Sequence, residues 1–198
     1  MVEKKTKVVD KWKMKNWYSV VAPENFESRE IGQIVSSDEA NLANRVVKIG
    51  LSELLGTFSQ STAYTTVYFR VKEIKGKTAH TIFIGHELVP GYLRTLARRR
   101  RSIINQVEDV VTRDGVHLRI KAISISGLKI SEATRVDVRK AVSNALKAIA
   151  KETDAATLTQ EMVFGKLSAK LYGYIKKIGP MKRVEIRKSE IKENFAQK

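Results

Sequence analysis

The residues of this sequence with the clearest chemical potential are four consecutive arginines, Arg98, Arg99, Arg100 and Arg101. Guanidinium groups form paired hydrogen bonds with phosphate oxygens, and four of them in a row repel one another unless anions lie nearby. A solvated helix end is the alternative, because the helix dipole also stabilises cations at a C-terminus. Since 37 lysines and arginines stand against 21 acidic residues, a net charge of +16, phosphate contact is favoured.

The N-terminal segment, residues 1–16, is a second candidate for contact with nucleic acid. It carries six lysines and little that could pack, which predicts an extended basic tail without a fold of its own. Such a tail can follow a phosphate backbone, and Trp12 could stack on an unpaired base or be an ordinary surface residue. Trp17, just beyond the tail, is interpreted as an anchor in the core. The candidate RNA-binding residues of the tail are Lys4, Lys5, Lys7, Lys11, Trp12, Lys13 and Lys15.

Further cations lie on a strand and in the C-terminal part of the chain. Residues 116–122 alternate strictly between apolar and polar, which places His117, Arg119 and Lys121 together on one face of a strand. About half of the C-terminal cations are expected to be ordinary surface charge. The remaining candidate RNA-binding residues are Arg94, Arg119, Lys121, Lys176, Lys177, Lys182, Arg183 and Arg187.

Enzymatic sites find no support in these residues. Cysteine is absent, which removes disulfides, thiol catalysis and zinc knuckles, and the histidines, His80, His86 and His117, stand singly without metal-ligand spacing. The segment from Gly165 to Ser168 is superficially like a phosphate-binding loop, but its serine is misplaced and it lies within a predicted helix. The sequence therefore predicts no catalytic residue, metal or cofactor. No apolar run approaches the ~18 residues that span a bilayer. The alternative of binding at an anionic membrane surface is disfavoured, because the predicted helix from Thr134 to Lys151 has a small, alanine-rich apolar stripe that suits packing on a sheet. No membrane partner is therefore expected.

The secondary structure predicted around these residues includes both strands and helices. Turn signals and alternating apolar residues predict strands at residues 31–35, 46–49, 66–74, 78–84, 103–111, 116–122 and 184–188. Four of these strands form two hairpins, closed at Gly76 and Gly115. Pro90 predicts the start of a helix that ends in the four arginines. The predicted fold class is α+β: a mainly antiparallel curved sheet or β-barrel flanked by helices.

Two longer helices are predicted after the strands. Apolar residues at spacings of three and four indicate an amphipathic helix that begins with a capping box at Thr134, and another from Thr157 to the stop at Gly179. In the second helix Gly165, Ala169 and Gly173 fall four apart and leave one face nearly bare, which predicts a close approach by another backbone or by the sheet. Replacing Gly173 with leucine is therefore expected to overpack a tight contact.

Short motifs along nearly the whole chain follow the order of a known family. They are Trp17-Tyr18, Ala22-Pro23, Ile31-Gly32, Arg45-Val46 with Leu51-Ser52, Asp114-Gly115, Phe164-Gly165-Lys166 and the closing Val184 to Lys188. Their ordered combination is specific, and the chain resembles small-subunit ribosomal proteins of the S3Ae family. It ends soon after the last predicted strand, without the longer C-terminal extension of eukaryotic members, so it resembles the archaeal type.

The resemblance implies a structural role in the cytoplasmic ribosome, on the small-subunit platform near the messenger exit and the 3′ end of the small-subunit rRNA. The implied partners are this rRNA, neighbouring small-subunit ribosomal proteins and mRNA near the exit. The implied fold is a central β-barrel flanked by helices, with no catalytic residues. A free RNA-binding regulator or initiation-associated factor remains the alternative. The predicted organisation is a tail over 1–16, one α+β domain over 17–190 and a charged end over 191–198.

Overall fold

The computed structural model describes residue 12, residues 15–59 and residues 62–192. Within these ranges the chain forms eight strands and five α-helices. The strands are β1 (Asn16–Val21), β2 (Glu30–Ser36), β3 (Val46–Gly50), β4 (Thr65–Lys75), β5 (Thr78–Leu88), β6 (Ile103–Val111), β7 (His117–Ser126) and β8 (Met181–Ile191). The helices are α1 (Leu51–Leu55), α2 (Pro90–Leu96), α3 (Glu132–Glu152), α4 (Ala155–Val163) and α5 (Lys166–Ile175).

The chain divides into two compact units. The first comprises the residues up to Val47 together with Phe69–Phe83, and the second comprises Lys48–Tyr68 together with the residues from Ile84 onwards. Strands β3, β4 and β5 each contribute residues to both units. The single domain expected over residues 17–190 stays a prediction.

In the first unit β1 pairs antiparallel with β2 and parallel with the N-terminal part of β5. Alternation along β1 buries Tyr18 and Val20 and leaves Trp17 59% exposed. The interpretation of Trp17 as a core anchor is therefore wrong, because the neighbouring tyrosine takes the inward position. Phe26 is also buried in this unit and packs edge-to-face on Phe69, with the ring centroids 5.4 Å apart.

In the second unit the strands follow the order β5-β8-β7-β6, and all three pairings are antiparallel. One face of this sheet carries Leu118 and Ile120 of β7, which share a buried cluster with Leu146 of α3 and Leu171 of α5. Removing this apolar surface from water is the main favourable term in folding. The opposite face presents the alternate residues of β7, beginning with His117, as the sequence predicted.

The predicted α+β class is confirmed, and of the two sheet alternatives the described residues form an open curved sheet. Both predicted hairpins are present, one from β4 and β5 and one from β6 and β7. Gly76 and Gly115 close them with φ of 61° and 75°, a left-handed conformation that favours glycine. The pairing of β1 with β5 is parallel, so the sheet is mixed.

The longer helices depart from the prediction at their ends. Helix α3 begins at Glu132 and is capped by Ser131, whose hydroxyl accepts from the Thr134 amide at 3.3 Å, so the cap precedes the predicted one. The helix predicted from Thr157 is in fact two helices, α4 and α5. Gly165 separates them because its φ of 77° cannot continue a right-handed helix.

The bare face of α5 is open, contrary to the expectation of a tight contact there. A Cβ added to Gly173 would meet no atom within 4 Å, so the expected overpacking at this position is wrong. The tight glycine is Gly85 on β5, where an added Cβ would lie 2.2 Å from the carbonyl oxygen of Ser189.

Candidate nucleic-acid interface

The four arginines form a turn between α2 and β6, which corrects the prediction that they end a helix. Helix α2 stops at Leu96, because Ala97 has an extended conformation with ψ of 99°. Arg100 is left-handed, with φ of 61°. A helix continued through this segment would bring like charges of successive turns together, which is unfavourable. The helix dipole therefore does not account for the cations of this arginine turn, defined as residues 98–101.

Two side chains of the arginine turn line a cavity of about 230 Å³ together with two consecutive cations of β8. The four cations are Arg98, Arg101, Lys182 and Arg183. The rest of the wall comes from α2 and β7 and consists of Tyr92, Thr95, Leu96 and Ile125. We call this cavity the basic cleft. It brings together predicted RNA-binding residues that lie far apart in the sequence, while Arg99 and Arg100 are exposed in the turn beside it.

A β-bulge explains how two consecutive residues of β8 line the same cleft. Regular alternation would send Lys182 and Arg183 to opposite faces of the sheet. The register shifts here, since Arg183 lies opposite Ile125 while Met181 lies opposite Ser126. Lys182 is therefore an extra residue without a partner on β7, and a bulge of this kind redirects the side chain it carries.

The basic cleft is electropositive because most of its cations have no carboxylate beside them. Within the described part of the chain, Arg98, Arg101 and Lys182 form no ion pair. Arg183 forms one, with its Nε 2.5 Å from Oε1 of Glu185. Three uncompensated cations around a concave surface concentrate positive potential there. Guanidinium and ammonium groups form charge-assisted hydrogen bonds with phosphate as well as with carboxylate oxygens.

Arg183 is held in position by a pair of stacked aromatic rings. Its guanidinium carbon lies 5.7 Å from the ring centroid of Tyr92. Tyr92 in turn stacks on Tyr64, with centroids 4.5 Å apart and planes inclined by 6°. The Tyr92 hydroxyl donates to Glu185 at 3.4 Å. Burial, with the nearby Glu185 carboxylate, raises the pKa of Tyr92, so this phenol remains a donor at neutral pH.

The sequence identified the charged half of the cleft and missed the uncharged half. Tyr92 falls in the helix predicted from Pro90 but was not singled out as a site residue, and neither was Ile125. No local pattern reports that α2 and β7 line one cavity, because their juxtaposition arises from the tertiary fold. The one available signal was that Tyr92 and the arginine turn follow each other closely in the chain.

Arg119 and Lys121 lie on the outward face of β7 as predicted, but both are paired within the protein. Arg119 donates to the two carboxylate oxygens of Asp109 at 2.7 and 2.9 Å, and Lys192 donates to the same group at 2.8 Å. These hydrogen bonds hold the pKa of Asp109 well below its usual range. Lys121 Nζ lies 3.6 Å from Glu190. RNA contact through these two cations stays a prediction.

Other predicted RNA-binding residues lie outside the basic cleft. Arg94 is exposed in the last turn of α2, and Lys176 and Lys177 directly follow α5. Arg187 is exposed as the extra residue of a second bulge in β8, where Ile186 and Lys188 lie opposite consecutive residues of β7. These four cations are spread over separate elements, and their contact with RNA stays a prediction.

The part of the tail that the structure describes presents an aromatic residue to solvent. Trp12 is 65% exposed, and the ammonium of Lys15 lies 4.4 Å from its ring centroid. The other tail candidates lie outside the described residues and are Lys4, Lys5, Lys7, Lys11 and Lys13.

The histidines offer no ligand cluster in the described ranges, where no group of three His, Cys, Asp or Glu side chains could hold a metal ion. His86 is buried, and its Nδ1 lies 2.6 Å from Oγ of Ser189. Burial lowers the pKa of His86 to about 4, so the ring is neutral at physiological pH. None of the helices described is long and apolar enough to cross a membrane.

Known proteins similar to this chain are named as proteins of the small ribosomal subunit. The Ribosomal S3Ae family model matches residues 3–194. Small ribosomal subunit protein eS1 of Methanococcus maripaludis is 39% identical over 184 residues, covering 93% of this chain and 81% of that protein. The protein of the same name from Sulfurisphaera tokodaii is 37% identical over 187 residues, covering 94% of this chain and 96% of that protein. The one from Saccharolobus islandicus is 36% identical over 184 residues, covering 93% and 88%.

Proposed function

Because the chain belongs to the ribosomal S3Ae family, a family of structural ribosomal proteins and not of enzymes, we propose that it is a structural constituent of the small ribosomal subunit. In the cytoplasmic ribosome it binds small-subunit rRNA and neighbouring ribosomal proteins. Its position is on the platform, near the messenger exit and the 3′ end of the rRNA, where mRNA is a further neighbour.

The observation that carries this proposal is the convergence of Arg98, Arg101 and Lys182 on one concave surface without carboxylate partners among the described residues. Gathering like charges raises the free energy of the folded protein unless an anion is bound. The archaeal relatives are all named small ribosomal subunit proteins. Their names support ribosomal RNA as the source of that anion.

This arrangement supports recognition through the sugar-phosphate backbone and the shape of folded RNA. Phosphate contacts fix position and orientation but carry no sequence information. They also release counterions, so binding depends steeply on salt. For a site with about six phosphate contacts, affinity for a cognate rRNA fragment should fall by about three decades between ~50 and ~200 mM salt.

A charge-matched pair of variants tests the role of the cleft. The first variant replaces Arg98, Arg101 and Lys182 with alanine. The second replaces three exposed cations of the second unit, Lys129, Lys140 and Lys151, and has the same net charge. Binding to a small-subunit rRNA fragment is measured as a function of salt. The cleft variant should lose affinity and have a shallower salt slope, whereas the control should stay close to the native protein. Equal losses in both variants would refute a specific role of the cleft.

Two further experiments test where the protein lies on the small subunit and whether it is a structural constituent of that subunit. Crosslinking at nucleotide resolution on intact particles should give contacts with platform rRNA near its 3′ end, and crosslinks confined to another region would refute the proposed location. Washing the particles with high salt separates a structural constituent from the alternative, a free RNA-binding regulator or initiation-associated factor. A structural constituent remains on the washed subunit, whereas a factor is removed.

A further inference from the structure

We propose that the basic cleft holds one unpaired nucleotide, with its phosphate on Arg98, Arg101 and Lys182 and its base against Leu96 and Ile125. This inference rests on the proposed function and names the kind of RNA element that the site takes. It concerns a nucleotide that has left its helix, not the backbone of a continuous duplex.

The first argument is the composition of the wall. A site for phosphate alone requires donors and cations, and the cleft has both. Its lining also includes two aliphatic side chains, Leu96 of α2 and Ile125 of β7. Ile125 is only 2% exposed, so Leu96, which is half-buried, offers more apolar surface to a ligand than Ile125 does. An apolar surface gains nothing from a phosphate group, whereas a nucleobase buries its faces against such a surface.

The second argument is the shape of the site. The cleft is a cavity of about 230 Å³, which corresponds to the volume of roughly eight water molecules in the liquid. The backbone of an A-form duplex lies on the outside of the helix with its bases paired inside. A duplex can touch the rim of such a cavity but cannot fill it. A single extruded nucleotide can place its base inside and its phosphate on the cations.

The third argument is that the cleft has few groups free to read a base. Arg183 is fixed by its ion pair with Glu185 and by the ring of Tyr92. The hydroxyl hydrogens of Tyr92 and Thr95 are already donated within the protein, to Glu185 and to the Tyr92 carbonyl respectively. A fixed guanidinium plane and an apolar wall favour any base by stacking and contact. The site should therefore tolerate all four bases.

The test uses the full-length protein with labelled isoleucine and leucine methyl groups and three probes: uridine 5′-monophosphate, adenosine 5′-monophosphate and ribose 5-phosphate. Methyl NMR spectra follow each titration. Both nucleotides should bind about tenfold or more tightly than the sugar phosphate, a factor that corresponds to the burial of roughly 55 Å² of apolar surface. They should also shift the methyl resonances of Leu96 and Ile125 through the ring current of the base. Equal affinities for the three probes, or no shift of these methyls up to millimolar nucleotide, would overturn the inference.

A pair of leucine variants locates the effect. Leu96→Ser removes apolar surface from the cleft and keeps every cation, while Leu128→Ser changes a leucine that is 66% exposed and not part of the cleft. The first should lose the preference for nucleotide over ribose 5-phosphate with unchanged affinity for ribose 5-phosphate, and the second should keep that preference. An unchanged preference in Leu96→Ser would also overturn the inference. If Leu96→Ser does not fold, the titrations of the native protein still decide.

The two proposals fail in different ways. If the native protein binds the three probes equally while the variant lacking Arg98, Arg101 and Lys182 still loses rRNA affinity, the cleft is a phosphate site and only the nucleotide inference is wrong. If that variant binds rRNA as well as its charge-matched control, the proposed role of the cleft in binding rRNA is wrong.

Discussion

Gly85 lies where β5 and β8 approach each other closely, and its replacement by alanine should destabilise the protein by ~3 kcal/mol. An added Cβ would lie 2.2 Å from the carbonyl oxygen of Ser189 and 3.2 Å from its carbonyl carbon. Both atoms belong to the backbone and cannot rotate away as a side chain would, so β8 must shift. The shift would also disturb the contact of 2.6 Å between His86 and Ser189. Overpacking typically costs ~1–3 kcal/mol, and a clash with backbone belongs at the upper end.

Thermal denaturation of the variants measures this effect. For a chain of this size each kcal/mol shifts Tm by about 2–4 °C, so Gly85→Ala should lower Tm by about 6–12 °C. Gly173→Ala is the matched control, because its Cβ would meet no atom within 4 Å. Glycine inside a helix costs roughly 0.5–1 kcal/mol relative to alanine, so this control should be slightly more stable than the native protein. A Gly85→Ala variant that melts within about 2 °C of the native protein would refute the reasoning.

Three further predictions concern pH and exposure. Burial lowers the pKa of His86 to about 4, so between pH ~6.5 and ~4 the unfolded chain binds a proton that the folded chain does not, and stability should fall as the pH drops through this window. His86→Asn should flatten the dependence of the urea midpoint on pH there, and an unchanged slope would contradict the assignment. Hydrogen bonds from Arg119 and Lys192 lower the pKa of Asp109, so its contribution is present above pH ~3.9 and lost as the pH falls further. In Asp109→Asn the slope of the urea midpoint against pH should decrease below pH ~4 only. A change of slope confined to higher pH would argue against this pairing. Trp17→Ala should change the free energy of unfolding by less than ~1 kcal/mol, since the side chain is 59% exposed. If chemical denaturation showed a loss of ~3–5 kcal/mol, Trp17 would be a core residue after all.

The strands and hairpins were predictable because their signals are local. Alternation along β7 places Leu118 and Ile120 in the core and Arg119 on the other face, and the structure confirms it. The left-handed turns at Gly76 and Gly115 need only the residues beside them to be recognised. The buried face of α3 was predictable for the same reason, since residues such as Val142 and Leu146 recur at helical spacing.

The errors arose where a nonlocal contact decided between local alternatives. Trp17 and Tyr18 are adjacent aromatic residues, and only the pairing of β1 decides which of them points inward. The bare face at Gly173 has the pattern of a tight helix contact, but in the described part of the chain a Cβ added there would meet no atom within 4 Å. The bulge that adds Lys182 to the basic cleft depends on the register of β8 against β7, which no single strand encodes. The apolar wall of the cleft, including Ile125, was missed for the same reason.

The arginine turn also affects how stable the free protein can be. It combines four neighbouring cations with a left-handed φ of 61° at Arg100, a conformation that costs a residue other than glycine roughly 1–2 kcal/mol. Without an anion the folded state bears both penalties. A ligand that binds only the folded chain adds about 2.7 kcal/mol at a hundredfold excess over its Kd. Under the proposed function, RNA bound at the arginine turn would stabilise the folded state, and the protein should melt at a higher temperature in its particle than alone in solution.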